Sequence, residues 1–341
     1  MKYNYFGNTG VVVSELCFGT MTFGGTGGIW GNIGKTQQDE VNQLIKVVVD
    51  SGINFIDTAN VYSYGESEKL LGQSIKTLGL NRYDLVIASK VRGRMGEGKN
   101  NVGLSRYHIF QSVDESLQRL QLSHLDILYV HGVDPKTPIE ETMRALNDIV
   151  LTGKVRYIAV CNWPAWMVMK AQGIAALNGW NRFEGMQYYY SLAGRDIERE
   201  VLPMAVDQKL AVMPWSPLAG GFLSGKFTRD SQASGNNRRD TFDFPPVNKE
   251  KAYDIIDVLI EVSKTHNVSV AQIALAWIRH QQPITSTIIG AKNADQLHDN
   301  IKSTEIALSA DELAKIEEIS ALPKEYPGWM VERQGADREL K

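Results

Sequence analysis

The sequence predicts an α/β fold, and two observations favour a (β/α)8 TIM barrel within that class. Eight short apolar runs are continuous rather than alternating, which is typical of parallel strands covered on both faces. Segments with helical periodicity separate successive runs, and this alternation requires parallel strands joined by right-handed crossovers. An open doubly wound sheet shows the same alternation without closing, so the pattern alone leaves that fold as the alternative.

The elements begin with a predicted β-hairpin. Two short alternating segments, Tyr3–Phe6 and Val11–Ser14, flank turn residues that include Gly7 and Gly10. We expect the hairpin at 3–14, a barrel at 16–320 and a C-terminal tail at 321–341, all within a single domain that spans 1–341. The eight predicted strands are Leu16–Thr20, Ile53–Asp57, Leu85–Lys90, Leu125–His131, Val155–Asn162, Phe183–Gln187, Leu210–Trp215 and Thr287–Gly290.

Apolar residues at helical spacing predict the helices between these strands. Amphipathic stripes of this kind, with apolar residues on one helix face, occur over 109–120 and 139–150. Near the end of the chain, Ser269-x-x-Gln272 and Ser309-x-x-Glu312 have the pattern of capping boxes and predict two further helix starts. The clearest stripe places apolar residues at i, i+3, i+4, i+7 and i+8: Val41, Leu44, Ile45, Val48 and Val49.

Three irregular segments follow predicted strands: Gly24–Gly34, Arg92–Gly103 and Thr228–Val247. In a barrel, loops that follow strands surround the C-terminal face, where such folds carry their chemistry. The last segment is long, and structureless loops of that length are usually functional or mobile. A solvated surface excursion is the alternative interpretation of this segment.

Charge and hydropathy disfavour several classes of partner. Lysine plus arginine (36) nearly balances aspartate plus glutamate (39), which indicates neither a face for nucleic acid nor an acidic tail. No apolar run approaches the ~18 residues of a membrane span, and the N-terminus lacks the apolar core of a signal peptide. Both cysteines, Cys17 and Cys161, lie in apolar runs and are expected to be reduced and buried. We therefore expect a cytoplasmic protein that binds a small molecule.

Nucleotide and metal motifs fail on inspection. The segment Gly28–Thr36 resembles a phosphate-binding P-loop, but Ile29 stands where that motif requires glycine. No G-x-G-x-x-G pattern follows the first strand, which disfavours a Rossmann dinucleotide site. The six histidines show no metal-ligand spacing with cysteine or carboxylate, so we expect no metal site.

Polar side chains at the strand ends carry the functional prediction. In a barrel these ends converge on one mouth, so four ionisable groups, Asp57, Tyr62, Lys90 and His131, are expected to lie close together. A lone acid or lysine after a strand is usually a helix cap or a solvated charge, but four at equivalent positions are harder to explain that way. The strand ends are, in order, Gly19-Thr20, Asp57, Lys90, His131, Asn162, Gln187, Trp215-Ser216 and Gly290.

Physical chemistry suggests roles for these four groups. An ammonium such as that of Lys90 stabilises a nearby phenolate, so we expect it to lower the pKa of Tyr62. Asp57 would pair with Lys90 and aim it, and His131 would hydrogen-bond a substrate oxygen. The set lacks a nucleophile, a metal and a second carboxylate for glycoside chemistry. Such a site suits interconversion of a carbonyl and an alcohol, provided that another group supplies hydride.

Several stretches resemble the aldo-keto reductase superfamily, and the resemblance covers nearly the whole chain. They are GINFIDTANVYSYGESEKLLG at Gly52–Gly72, LVIASK ending in Lys90, DILYVH ending in His131, and WSPLAGGFLSGK at Trp215–Lys226. The resemblance implies a (β/α)8 barrel whose base is closed by the N-terminal hairpin. It also implies reduction of an aldehyde or ketone by hydride from NADPH, with Tyr62 as general acid in a tetrad with Asp57, Lys90 and His131.

The resemblance also implies a cofactor site. Asn162 and Gln187 would hold the nicotinamide carboxamide, Trp215 would stack on the ring, and residues from Ser216 to Gly220 would hold the pyrophosphate. A helix starting near Asn293 would direct its N-terminal dipole at a phosphate. The full implied set is Gly19, Thr20, Met21, Asp57, Asn162, Gln187, Trp215, Ser216, Pro217, Leu218, Gly220, Gly290, Lys292, Gln296, Asp299 and Asn300.

Three positions depart from the family pattern. Cys161 stands where a serine usually precedes Asn162, and Met186 stands where many relatives have asparagine. Gln296 occupies a position that is often the arginine for the 2′-phosphate, and Lys292 is expected to compensate as a point charge. NADP(H) is therefore favoured over NAD(H), which remains the alternative.

The substrate pocket is less visible in the sequence. Tyr62, His131, Met21, Trp30 and Trp163 are expected to line it with the Thr228–Val247 segment, although Trp163 precedes Pro164 and packing of a helix start is its alternative role. A nicotinamide-binding regulatory subunit, like the β subunits of voltage-gated potassium channels, is the main alternative function. A phosphate-sugar isomerase barrel is a third. The physiological substrate, the direction of reaction and the oligomeric state do not follow from the sequence.

Overall fold

Eight parallel strands form a nearly closed barrel in the computed structural model, which describes residues 1–25, 27–229, 239 and 242–336. Successive strands from the first to the seventh pair with one another, and the last pairs with the first. Val212 bridges to Ile284, just before the last strand, so the predicted barrel is confirmed and the open doubly wound sheet is excluded. The strands are β3 (Leu16–Gly19), β4 (Phe55–Asp57), β5 (Val86–Val91), β6 (Leu125–Val130), β7 (Val155–Cys161), β8 (Phe183–Tyr189), β9 (Ala211–Trp215) and β10 (Thr287–Ile289).

Helices cover the outside of the barrel between successive strands. The predicted stripe of the second helix is buried at Val41, Leu44, Ile45 and Val48, and burial of such a stripe is what stabilises a helix this short. The helices are α1 (Trp30–Ile33), α2 (Gln38–Asp50), α3 (Glu66–Thr77), α4 (Arg106–Leu120), α5 (Ile139–Leu151), α6 (Ala165–Asn178), α7 (Val201–Gln208), α8 (Lys249–His266), α9 (Val270–His280), α10 (Ala294–Lys302), α11 (Ala310–Ser320) and α12 (Gly328–Ala336).

The predicted capping box is confirmed at α11, whereas at α9 only the serine half of the box is formed. Ser309 and Glu312 form a reciprocal capping box at the start of α11. At α9, Ser269 caps the backbone N–H of Gln272, but the Gln272 side chain donates to Asp299 of α10 instead of reaching back. The cause is tertiary, because the Asp299 carboxylate accepts from the Gln272 amide and holds this side chain away from the N–H of Ser269.

Two of the predicted irregular segments are described only in part. Gly24–Gly34 contains the single-turn helix α1, and Thr26 lies outside the described residues. Within Thr228–Val247, residues 230–238 and 240–241 lie outside the described residues as well. Among the helices that the structure describes, none is long and apolar enough to cross a membrane.

The N-terminal hairpin lies across the base of the barrel. Strands β1 (Tyr3–Tyr5) and β2 (Val12–Ser14) pair antiparallel, as the sequence predicts. At the turn, a Cβ on Gly7 would lie 2.2 Å from the carbonyl oxygen of Glu184, so the turn lies directly against the start of β8. Phe6 enters the barrel and meets Phe55 edge-on, with ring centroids 6.2 Å apart. A Cβ on Gly185 would lie 2.4 Å from the Phe6 ring, so only glycine leaves room for this side chain.

Replacing Phe6 by alanine should lower the free energy of unfolding by about 3–5 kcal/mol, the usual effect of removing a buried aromatic ring. Phe6 is 0% exposed, and its loss opens a cavity at the base of the barrel. The neighbouring Tyr5 is 68% exposed, so Tyr5→Ala provides a control that should cost less than about 1 kcal/mol. Urea unfolding measures the stability of both variants. A Phe6→Ala effect no larger than that of Tyr5→Ala would show that Phe6 does not stabilise the base of the barrel.

Alternation along the strands decides which residues face the mouth. Phe55, Ala88, Tyr129 and Met213 belong to the apolar cluster inside the barrel, whereas Ile56, Val91 and Val130 pack against the helices outside. Because side chains alternate with a period of two, the next inward positions toward the C-terminal ends are Asp57, Lys90, His131, Gln187 and Trp215. The predicted strand-end residues therefore share one end of the barrel interior.

Candidate active site

A buried ion pair lies at the centre of the mouth. The Lys90 ammonium donates to Asp57 Oδ2 at 2.5 Å, to the carbonyl oxygen of Thr58 at 2.9 Å and to the Tyr62 hydroxyl at 3.2 Å. The second carboxylate oxygen of Asp57 accepts from Gln187 Nε2 at 2.9 Å. The side chains of Lys90 and Asp57 are 0% and 3% exposed, so each charge depends on the other for compensation.

A tight turn after β4 fixes Tyr62 above this pair. Ser63 and Tyr64 have φ values of 48° and 53°, and Gly65 follows with φ 91° before α3 begins. The Ser63 hydroxyl donates to the carbonyl oxygen of Phe23 and accepts from the N–H of Gly25, which ties the turn to the loop after β3. The strained turn thus holds the phenol in one position instead of leaving it on a mobile loop.

Two rings enclose the phenol on the pocket side. The Trp30 ring centroid lies 5.6 Å from that of Tyr62, and the His131 ring centroid lies 5.8 Å away at 74°. Trp30 and Tyr62 are both buried and share a small apolar cluster with Ile33 and Ala59. The structure therefore brings together the four ionisable residues and the predicted pocket residue Trp30.

The environment keeps the ammonium charged. Burial alone would lower the pKa of Lys90, but the charge and the hydrogen bond of Asp57, together with the neighbouring acidic groups Tyr62 and Cys161, outweigh it and raise that pKa above its ordinary value. Burial raises the pKa of the Asp57 carboxyl, while Lys90 and Gln187 oppose the rise. The pair is held together because the distance between ammonium and carboxylate is short and both groups are shielded from water.

The expected pKa of Tyr62 is wrong in direction. Burial raises the pKa of the Tyr62 hydroxyl above its ordinary value, and the attraction of Lys90 only offsets part of that rise. The sequence-based expectation considered the ammonium without the desolvation of the phenol. Burial, followed by the charges of Lys90 and Arg92, holds the pKa of His131 well below its usual range, so this imidazole is neutral at neutral pH.

The segment after β9 forms a series of tight turns. Ser216, Ala219 and the glycines at 220 and 221 all have positive φ values, and the N–H groups of Ala219 and Gly221 donate to the carbonyl oxygens of Ser216 and Leu218. The Ser216 hydroxyl accepts from the N–H of Gly220 at 2.8 Å and closes the turn. Arg239 donates to the carbonyl oxygens of Ala219 and Pro245 and so ties this segment to the chain that precedes α8. The predicted pyrophosphate residues therefore form one compact turn.

Trp215 occupies the wall between this turn and β7. Its Nε1 donates to Asn162 Oδ1 at 3.0 Å, and Asn162 has a φ of 57° that turns it into the mouth. Phe244 stacks on Trp215 with centroids 5.6 Å apart and an interplanar angle of 10°, and Tyr189 lies 5.2 Å away at 38°. The ring expected to stack on nicotinamide is therefore in contact with two aromatic rings of the protein.

The predicted adenosine segment surrounds the start of α10. Asn293 caps this helix by accepting from the N–H of Gln296, and Gln296 Oε1 in turn accepts from the N–H of Lys292. Asn300 is buried and donates to the carbonyl oxygen of Gly290 at 3.2 Å. The Lys292 side chain is exposed beside the helix N-terminus, an arrangement that favours a phosphate.

Some predicted residues lie in other contacts. Trp163 is buried and meets Phe183 edge-on at 5.8 Å in the layer between barrel and helices, which agrees with its alternative role in packing. Asp299 accepts from Ser269 and Gln272 of the neighbouring helix. Thr20 is buried and shares hydrogen bonds with Ser67 and the carbonyl oxygen of Asp57. Gly19 pairs with Asp57 in the sheet, Pro217 is buried, and Met21 and Leu218 are half-buried.

Sequence reasoning missed two aromatic residues of the site. Tyr129 lies directly beneath the ion pair, with Lys90 Nζ 5.9 Å from its ring centroid, and it is fully buried. It precedes His131 by two residues, so the alternation of β6 was a signal that pointed to it. Phe244 lies in a segment without periodicity, which offered no such signal. Among the described residues, no group of three or more His, Cys, Asp or Glu is arranged to hold a metal ion.

Comparison with known proteins agrees with this geometry. The model of the Aldo/keto reductase family matches residues 15–321. Versiconal hemiacetal acetate reductase of Aspergillus parasiticus is 33% identical, over 96% of this chain and 99% of that protein. The uncharacterized oxidoreductase YrpG of Bacillus subtilis is 36% identical over 94% and 96%, and a probable voltage-gated potassium channel subunit beta of Arabidopsis thaliana is 32% identical over 94% and 96%. The chain therefore belongs to the aldo/keto reductase family.

Proposed function

We propose that this protein reduces the carbonyl group of a small aldehyde or ketone to an alcohol in the cytoplasm, with NADPH as hydride donor and Tyr62 as general acid. The observation that carries the proposal is the contact of the Tyr62 hydroxyl with an ammonium that is itself held by a buried carboxylate. Membership of the family supports an oxidoreductase with a nicotinamide cofactor. The finer assignments rest on the geometry of the mouth.

The chain's own residues handle the proton. Because burial raises the pKa of Tyr62, the phenol is protonated at neutral pH and is available as a donor. Lys90, at 3.2 Å, stabilises the phenolate left after the proton moves to the carbonyl oxygen. Neutral His131 donates a hydrogen bond to that oxygen and orients it beside Tyr62. In the reverse direction the phenolate accepts the proton from the alcohol.

The residues present fit a dinucleotide. The turn after β9, where Gly221 leaves open space, and the N-terminus of α10 are the two sites that we assign to phosphate, and the amides of Asn162 and Gln187 lie toward the C-terminal ends of β7 and β8. A bound nicotinamide supplies the hydride. Asn162 would hold its carboxamide, with Trp215 beside the ring. Gln187 also donates to Asp57, so we assign it to coupling the carboxamide site to the ion pair.

A turnover measurement separates this proposal from the alternative of a nicotinamide-binding regulatory subunit. The similarity to a channel subunit is the reason for testing that alternative. We expect steady NADPH oxidation when the protein is mixed with a panel of aromatic aldehydes, sugars, steroids and diketones. Tight NADPH binding without turnover on any of them would favour a regulatory subunit. Failure to bind either dinucleotide in a fluorescence titration would favour the isomerase alternative instead.

Replacing Lys292 by alanine should weaken NADPH more than NADH. The exposed Lys292 side chain lies beside the α10 N-terminus, where a charge-assisted contact to the 2′-phosphate would contribute about 1.5–3 kcal/mol. Lys302, exposed in the last turn of the same helix, gives a matched control, because Lys302→Ala removes the same charge far from the helix start. Fluorescence titration measures both dissociation constants, and equal losses for NADPH and NADH would show that Lys292 does not contact that phosphate.

A further inference from the structure

Arg92 is a cation without an acidic partner at the edge of the mouth. It lies two residues after Lys90, where β5 has just ended, and it is half-buried. Its Nε donates to the carbonyl oxygen of Val133 at 3.2 Å, and it forms no ion pair with any acid in the part of the chain that the structure describes. Burying part of a charged group is unfavourable unless the charge is paired, so this guanidinium calls for an explanation.

The backbone of Arg92 is strained. Its φ is 147°, in a region that favours glycine, and a non-glycine residue there costs about 1–3 kcal/mol. The N–H of Gly103 donates to the Arg92 carbonyl oxygen and helps to hold this conformation. Strain of this kind persists where the side chain has a function, because glycine would otherwise be favoured.

The position of Arg92 is that of a substrate contact. Its guanidinium donates to the carbonyl oxygen of Val133, two residues after His131, so it lies beside the segment that carries the orienting imidazole. A Cβ on Gly93 would lie 2.7 Å from Val61 Cβ, which packs this segment directly against the turn that carries Tyr62. Arg92 is thus between the elements that hold the general acid and the orienting histidine.

Topology separates Arg92 from the proposed phosphate sites. In the eight-stranded order, β5 is four strands away from β9 in either direction, so Arg92 lies across the mouth from the turn at Ser216–Gly221. The nearby Asp134 is already occupied, because it accepts from the N–H of Leu104 and the hydroxyl of Thr137, each at 2.7 Å. Asp57 and Lys90 compensate each other and His131 is neutral, so Arg92 remains a positive charge that forms no ion pair with a described carboxylate.

We propose that Arg92 binds an anionic group of the substrate, so that the preferred substrate is a carbonyl compound bearing a carboxylate or phosphate. This inference rests on the proposed reductase function. The two terminal nitrogens of a guanidinium match the paired oxygens of either anion. Binding of the anion at Arg92 directs the carbonyl group toward Tyr62 and His131.

Matched substrates test this assignment. The neutral ester methyl 4-formylbenzoate and the anion 4-carboxybenzaldehyde share a ring and an aldehyde and differ in charge, and 4-formylphenyl phosphate provides the phosphate arm. We expect the wild-type protein to have a higher kcat/KM for an anion than for the ester. Arg92→Gln should lower that ratio by about 10- to 100-fold, mainly through KM, which is the range for a hydrogen bond to a charged group. The arm with the larger loss identifies the anion.

Lys99→Gln is the charge control, because Lys99 is exposed in the same loop and the substitution removes the same charge. It should leave the ratio unchanged. Arg92→Lys should retain an intermediate preference for the anion, since lysine keeps the positive charge but lacks the paired N–H donors of the guanidinium. The assignment is overturned if wild-type protein shows no preference for an anion, or if Arg92→Gln lowers kcat/KM for ester and anions equally.

A binding experiment separates this inference from the reductase proposal. Calorimetry of 4-(hydroxymethyl)benzoate with the NADP⁺-loaded protein reports on Arg92 without turnover. Weaker binding to Arg92→Gln, with the methyl ester unaffected, supports the anion contact even if no aldehyde is reduced. Equal binding of the acid by wild type and Arg92→Gln removes Arg92 from the site even if reduction is fast.

Discussion

Replacing Tyr62 by phenylalanine should lower kcat for carbonyl reduction by about 10²-fold or more, the usual contribution of a positioned proton donor. The ring would remain between Trp30 and His131, so the shape of the pocket is kept while the hydroxyl that contacts Lys90 is lost. Cofactor affinity should change little, because Tyr62 lies outside the proposed phosphate sites. NADPH oxidation with an aldehyde measures the rate, and fluorescence titration measures the affinity.

Tyr64 provides the matched control for this variant. It lies in the same strained turn and is 56% exposed, so Tyr64→Phe removes a hydroxyl from the same segment without touching the ion pair. Its rate should stay within about threefold of wild type, as expected for an exposed position. A Tyr62→Phe protein with a rate near that of Tyr64→Phe would remove Tyr62 from the proton-transfer step.

The sequence predicted the barrel and the central residues of the mouth because both follow from periodicity. Continuous apolar runs placed the strands, and the period of two placed Asp57, Lys90 and His131 on the inward face at the ends of those runs. Tyr62 follows its strand by five residues, so periodicity did not place it, and its inclusion rested on its closeness in sequence to Asp57. The structure shows why that place is fixed: three successive positive φ values build the turn.

The parts that sequence could not predict depend on tertiary contacts. The pKa of Tyr62 is raised because its surroundings exclude water, and neither spacing nor charge reveals that burial. Asp299 matches a family position, yet its carboxylate accepts from a neighbouring helix, whose distance in space cannot be derived from sequence alone. Phe244 reaches Trp215 from a segment with no periodic pattern. Local patterns identify elements, whereas these contacts arise from how the elements meet.

Replacing Lys90 by methionine should lower the free energy of unfolding by about 3–5 kcal/mol at neutral pH, because it leaves the Asp57 carboxylate buried without its partner. The loss should shrink as the pH falls. Burial already raises the pKa of Asp57, and removing the ammonium raises it further, so the folded variant takes up a proton at a pH where the unfolded carboxyl is still ionised. Stability of the variant should therefore be greater at pH about 5 than at pH about 8.

The double variant Asp57→Asn/Lys90→Met isolates this effect. It removes both charges and keeps an amide beside Gln187, so it should recover most of the stability lost in Lys90→Met and show little of its pH dependence. The exposed pair Lys46–Asp50, with side chains 65% and 61% exposed, is the control, and Lys46→Met should cost less than about 1 kcal/mol. Urea unfolding across the pH range measures all three variants. If the double variant is as unstable as Lys90→Met, the destabilisation comes from lost packing of the lysine stem, and the ion pair serves the chemistry of Tyr62 without holding the mouth together.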